Sequence, residues 1–158
     1  GVLNLNNANT YSNTSLSGGV VSLNASNAIP TAAGTITFAG GMLQFTSSNV
    51  FDYSPRFATT DNQSFKFDTN GQTVTFGSSI QSTGGVLAKY GTGTLILSGA
   101  NTYSGATTVN TGSLRAANNS ALGTTAGGVT VSSGAALELS GNITIGDRKS
   151  TRLNSSHT

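Results

Sequence analysis

The charged side chains of residues 1–146 are few enough to take one by one. Four carboxylates, Asp52, Asp61, Asp68 and Glu138, face four cations, Arg56, Lys66, Lys89 and Arg115. Glycosidic cleavage needs two carboxylates converging on one bond, one as acid and the other as base or nucleophile. With four candidates spread this thinly, solvated surface is the expectation for each. Asp52, Asp61 and Asp68 are close enough in sequence to gather calcium, but the Gly-Gly-x-Gly-x-Asp repeat that builds such sites in coiled strand proteins is missing. The single histidine, His157, lies in a terminal run of different character, which leaves a Ser-His-Asp arrangement without its base. The lack of cysteine excludes a disulfide framework and a thiolate metal site. Gly91-Thr-Gly93 lacks the third glycine and the following helix of a dinucleotide loop. The sequence therefore predicts no catalytic residue, no cofactor and no metal, and a protein that is not an enzyme.

Whatever holds these groups in place repeats itself. The run Gly91-Thr-Gly-Thr-Leu-Ile-Leu-Ser-Gly-Ala-Asn-Thr-Tyr-Ser-Gly105 has a degraded copy at the start of the chain, with Leu3 on Leu95, Leu5 on Leu97, and 8–12 on 100–104. After a slip of one residue, Ala28 and Ile29 fall on Ala121 and Leu122, and 34–37 on 127–130. The period is about ninety residues, so each copy covers several turns of a stack whose neighbours share one core. Alternating apolar runs at 35–38, 42–45, 72–76, 85–89, 94–97, 107–109, 113–115, 129–131, 136–139 and 143–145 read as short strands separated by Gly or Asn corners. Abundant Gly, Ser, Thr and Asn suit that design, because Gly and Asn accept positive φ while Thr and Val suit a pleated surface. Small inward aliphatics and a lone Asn70-Gly71 hairpin signal favour a parallel coil over a sandwich. Asn9 and Asn101, at matching corners, are expected to form hydrogen-bonded ladders between turns.

Two stretches break the rhythm. Residues 49–67 hold Phe51, Tyr53, Phe57, Phe65 and Phe67, too bulky to share a bore lined with Val and Ala. They are expected to form an aromatic-rich insertion, either protruding as a partner-contact surface or folded as a satellite cluster against the outside of the stack. Deleting 50–66 should then leave the strands largely intact. The second stretch, 147–157, reads Asp-Arg-Lys-Ser-Thr-Arg-Leu-Asn-Ser-Ser-His and resembles the in-frame translation of a common sequencing adapter. That resemblance implies a non-native tail at 147–158, expected to make no ladder with the preceding strands. Without the tail the net charge is near zero and no Lys/Arg cluster remains, so no nucleic acid partner is expected. No apolar run is long enough to span a membrane, and no basic hydrophobic leader opens the chain. The chain reads as an internal fragment whose uncapped ends should associate or fray.

Residues 68–76 and 84–114 carry a more specific signal. Their text resembles the autotransporter-associated β-strand repeat, also called the passenger-associated transport repeat. The likeness extends to 146 and returns in part over 1–45, where Asn13 replaces the glycine found at Gly105. The resemblance implies an all-β, right-handed parallel β-helix, spanning 1–146 with related copies at about 1–45 and 84–146. It also implies the passenger of a bacterial autotransporter, displayed on the cell surface or secreted, whose parent chain includes an outer-membrane barrel. The implied function is a structural stalk supporting export and adhesion to a host or cell-surface protein or glycan. The alternative is a carbohydrate-active β-helix enzyme of the lyase or hydrolase type.

Overall fold

A computed structural model describes residues 1–152, and His157 falls outside them. The described chain winds into a β-solenoid of about seven turns. Its longest sheet stacks β1 (Val2–Leu5), β3 (Val20–Leu23), β5 (Met42–Gln44), β6 (Ser64–Asp68), β8 (Val86–Tyr90), β10 (Thr107–Val109), β12 (Val129–Val131) and β14 (Ser150–Arg152) in that order. A second sheet stacks β7 (Thr73–Phe76), β9 (Thr94–Leu97), β11 (Ser113–Ala116) and β13 (Ala136–Leu139). A third pairs β2 (Thr14–Leu16) with β4 (Ile36–Phe38), and Phe57, one turn above, bridges to Ile36. Every strand-to-strand pairing is parallel. The step between stacked strands runs from about 18 residues, Val2 to Val20, to about 24, Leu43 to Phe67.

Period-2 alternation fixes which side chains enter the bore. In the second sheet Val74, Leu95, Leu114 and Leu137 lie one above the other, as do Phe76, Leu97, Ala116 and Leu139. Leu95, Leu97 and Leu114 are fully buried, whereas Leu139 on the last strand is 57% exposed. Each buried aliphatic contributes roughly 1.5–3 kcal/mol from its removal from water. Slipping one strand by a residue would turn its leucines outward, so packing holds the register.

The two sequence copies stack out of phase. By the sequence match β1 corresponds to β9, yet β1 stands in the eight-stranded sheet and β9 in the four-stranded one. The handover occurs at β6. Its carboxyl end, Phe67 and Asp68, pairs with Leu43 and Gln44 of β5. At its amino end the Phe65 ring lies 5.3 Å from that of Phe38 on β4. The second copy is therefore rotated by one side of the coil about the solenoid axis.

Three expectations need correction. The stretch 49–67 is not an insertion: the step across it is only about two residues longer than the 22 between Val20 and Met42. Four of its five rings enter the bore, Tyr53 and Phe57 from one turn and Phe65 and Phe67 from the next, so they do not crowd one cross-section. The strand expected at 143–145 does not form, although Ile143 and Ile145 pack partly against the core. A ladder does continue beyond Gly146, since Ser150–Arg152 pairs in register with β12. All three of its side chains are exposed. The pairing is thus made by main chain alone, which an open strand edge offers to almost any sequence without proline.

Candidate functional site

The five aromatics expected to meet a partner are mostly out of reach. Tyr53, Phe65 and Phe67 are fully buried and Phe57 is 6% exposed, while Phe51 remains 44% exposed. Phe67 centres a cluster, with ring centroids 4.8 Å from Phe76, 5.3 Å from Phe57 and 5.3 Å from Phe38. Tyr53 donates its hydroxyl proton to Ile29 O at 3.0 Å and accepts from Asn49 Nδ2 at 2.8 Å. Of the predicted contact residues, only Phe51 presents a substantial apolar surface to solvent, beside the equally exposed Val50.

The carboxylates hold loops in place. Asp52 accepts from Ser54 Oγ at 2.6 Å and from Gly77 N, one turn above, at 2.8 Å. Asp68 accepts from Gln44 Nε2 and from Asn70 N, both at 2.8 Å. Glu138 pairs with Arg115 Nε at 2.8 Å, a half-exposed bridge between adjacent strands. That bond, with a second from Ser113, holds the Glu138 carboxyl below its ordinary range. No group of three or more His, Cys, Asp or Glu converges among the described residues.

Sequence reasoning missed the two cations that matter most to the fold. Lys89 is completely buried, and its ammonium donates to the carbonyls of Gly91 at 2.6 Å, Tyr90 at 2.8 Å and Thr111 at 3.1 Å. Two turns of the coil are thereby joined at one corner. The alternation of β8 carried the signal, since Lys89 follows Leu87 on the inward side. Gly112 completes the corner at φ 69°, where a Cβ would lie 2.5 Å from the carbonyl oxygens of Gly91 and Gly93. Arg56 does the same elsewhere. It sits in a single 3-10 turn, Ser54–Arg56, and donates to Ser12 O at 2.7 Å, Gly34 O at 3.0 Å and Pro30 O. Arg148 docks comparably, donating to Leu122 O at 2.7 Å and Thr124 O at 3.2 Å.

The asparagine corners bridge turns through backbone groups. Asn101 donates to Ala121 O at 2.6 Å above and accepts from Ile80 N at 2.8 Å below. Asn9 donates to the matching carbonyl, Ala28 O, at 2.8 Å. The adjacent tyrosines diverge. Tyr103 is fully buried against Thr107 Oγ1 at 2.7 Å, whereas Tyr11 is 37% exposed and donates to Ala28 O at 2.9 Å. Space explains the difference: a Cβ on Gly123 would meet the Tyr103 ring at 3.0 Å, and Pro30 stands in the place of Gly123 in the first copy. Burial pushes the Tyr103 hydroxyl up to about 12, with the Thr107 bond pulling the other way. An acid whose folded value is raised gives stability that is present below the unfolded value of about 10 and lost as pH climbs through about 12. The alkaline unfolding midpoint of Tyr103→Phe is therefore expected to lie above that of the unaltered chain. An unchanged or lower midpoint in a pH titration followed by circular dichroism would refute this.

The family model of the passenger-associated-transport-repeat matches the chain twice, at residues 1–23 and 87–116. The second match contains Lys89, Asn101, Tyr103 and Gly112, and the first contains Asn9 and Tyr11. No curated protein and no solved structure matches the chain.

Proposed function

We infer that this chain is a structural module of an autotransporter passenger, a stalk that holds other parts of a bacterial surface protein away from the membrane. The observation that carries the reading is the coincidence of the passenger-associated-transport-repeat matches with an uninterrupted parallel stack. Stacked coils transmit length with little chemistry, since each turn needs only its neighbours. The charged groups here serve that end: Lys89 and Arg56 bind carbonyls of adjoining turns, and Asp52 spans to Gly77. At about 4.8 Å per turn, seven turns lengthen a stalk by roughly 34 Å. On this reading the module is carried outward with its passenger and stands at the cell surface or is released. Val50 and Phe51 are the surface through which an adhesive contact would pass.

Fusing the chain between an epitope tag and an outer-membrane export barrel tests the proposal in intact cells. The tag is expected to become reachable by antibody, and the fused chain to resist external protease better than an unstructured linker of equal length. A tag that stays inside, or a chain cleaved as fast as the linker, would overturn it.

A further inference from the structure

Asn70-Gly71, the single Asn-Gly pair in the chain, joins no hairpin. It turns the corner from β6 in the long sheet to β7 in the second, with Asn70 at φ 47° and Gly71 at φ 81°. Gln72 N closes that turn by donating to Thr69 O at 2.8 Å, and both residues of the pair are exposed. The pair also ties three turns of the coil together. Asn70 Nδ2 donates to Phe45 O of the turn below at 3.3 Å, and Gly71 N donates to Thr92 O of the turn above at 2.8 Å. Asn70 N donates to Asp68 Oδ1 at 2.8 Å.

An asparagine before glycine is chemically labile, because no side chain shields the amide nitrogen that follows it. Gly71 N bonds to Asn70 Cγ, the Cγ–Nδ2 bond breaks, and the amino group leaves as ammonia with the proton that Gly71 N gives up. Water then opens the succinimide ring. Cutting at Cγ gives aspartate, and cutting at the main-chain carbonyl gives isoaspartate, which carries one more carbon in the main chain. Space does not oppose the attack, since a Cβ on Gly71 would meet only Thr92 Oγ1, at 3.8 Å. Hydrogen bonding does oppose it: the attacking nitrogen is held by Thr92 O and the Asn70 amide by Phe45 O, so ring closure requires both neighbouring turns to let go. We propose that Asn70 is a latent site of hydrolytic deamidation, closed while the coil is wound and opened when this corner comes apart, and that its conversion keeps the corner from closing again. A carboxylate at position 70 turns an acceptor toward Phe45 O where the amide offered a donor, and sets a second negative charge beside Asp68. Isoaspartate lengthens the main chain between Thr69 N, which donates to Tyr90 O at 3.2 Å, and Gly71 N, which donates to Thr92 O, so the two bonds lose their common register.

Holding the unaltered full chain in mildly alkaline buffer, with and without denaturing guanidinium chloride, tests this, with position 70 read by mass from the tryptic peptide 67–89. Conversion in the folded sample is expected to be slower by about tenfold or more, because the open corner is seldom populated. On dilution, the chain converted in denaturant should fail to regain its circular dichroism in proportion to the fraction converted. The unaltered chain diluted at once should regain it, as should Asn70→Gln after the same incubation, since the longer side chain does not close the succinimide ring. Equal rates with and without denaturant, or no conversion in denaturant, would overturn the site. Full recovery by the converted chain would overturn the block on refolding.

Discussion

Phe67→Ala is expected to lower the unfolding free energy by about 3–5 kcal/mol, enough to unfold much of a marginally stable chain. The ring is fully buried and touches Phe38, Phe57, Phe65 and Phe76. Phe38 and Phe57 come from the two turns that precede the one carrying Phe65, Phe67 and Phe76, so the cavity borders three turns, and no single turn can collapse to fill it without shifting its neighbours. Phe51→Ala, on a ring that is 44% exposed, should cost under about 1 kcal/mol. Urea unfolding of both variants beside the unaltered chain gives the comparison. Similar midpoints for the two would mean that the rings do not form the core. The same packing reverses the expectation for deleting 50–66: the cut removes Tyr53 and Phe57 from the bore and Arg56 from three carbonyls, so the strands on either side should not survive it.

The parallel coil was legible because its two signals are local and repeated. Alternation in runs such as 94–97 places Leu95 and Leu97 inward, and the matched Asn9 and Asn101 do take the same carbonyl in both copies. What was not legible depends on relations between turns. Five aromatics within 49–67 look crowded in one dimension, and only the packing of Phe38 and Phe57, from two successive turns, against Phe67 and Phe76 of the next shows how the bore accommodates all but Phe51. The out-of-phase arrangement of the copies was hidden for the same reason. A repeat of about ninety residues need not equal a whole number of turns, and the pairing of β5 with only the carboxyl end of β6 absorbs the difference. Composition also misled at the tail, since polarity says little about whether main chain will add to an open edge. Lys89 drew no reading of its own, because lysines are almost never fully buried; its inward place in β8 was the signal for it.

Lys89→Met should cost about 2–3 kcal/mol at neutral pH, an unusual loss for a change that removes a charge from a core. A methionine matches the stem but leaves the carbonyls of Tyr90, Gly91 and Thr111 without their donor, at about 1 kcal/mol or more each. Relief from burying an ammonium works in the opposite direction, and pH separates the two effects. Burial lowers the Lys89 ammonium to about 8, with Asp68 opposing the shift. Below that value folded and unfolded chains both hold the proton. Between about 8 and 10.4 the unfolded chain retains a proton that the folded one has released, so stability contributed through Lys89 rises with pH across that window. The unaltered chain should therefore gain on Lys89→Met between pH 7.5 and about 10, before the tyrosines titrate. Urea midpoints at both pH values, with Lys66→Met as the control on a lysine that bonds a single carbonyl, Gly40 O, at 3.0 Å, measure the gap. A gap that is absent at neutral pH would mean the corner closes without its cation. One that fails to widen would place the Lys89 ammonium in contact with water, and the joining of the two turns would then rest on their strand pairing alone.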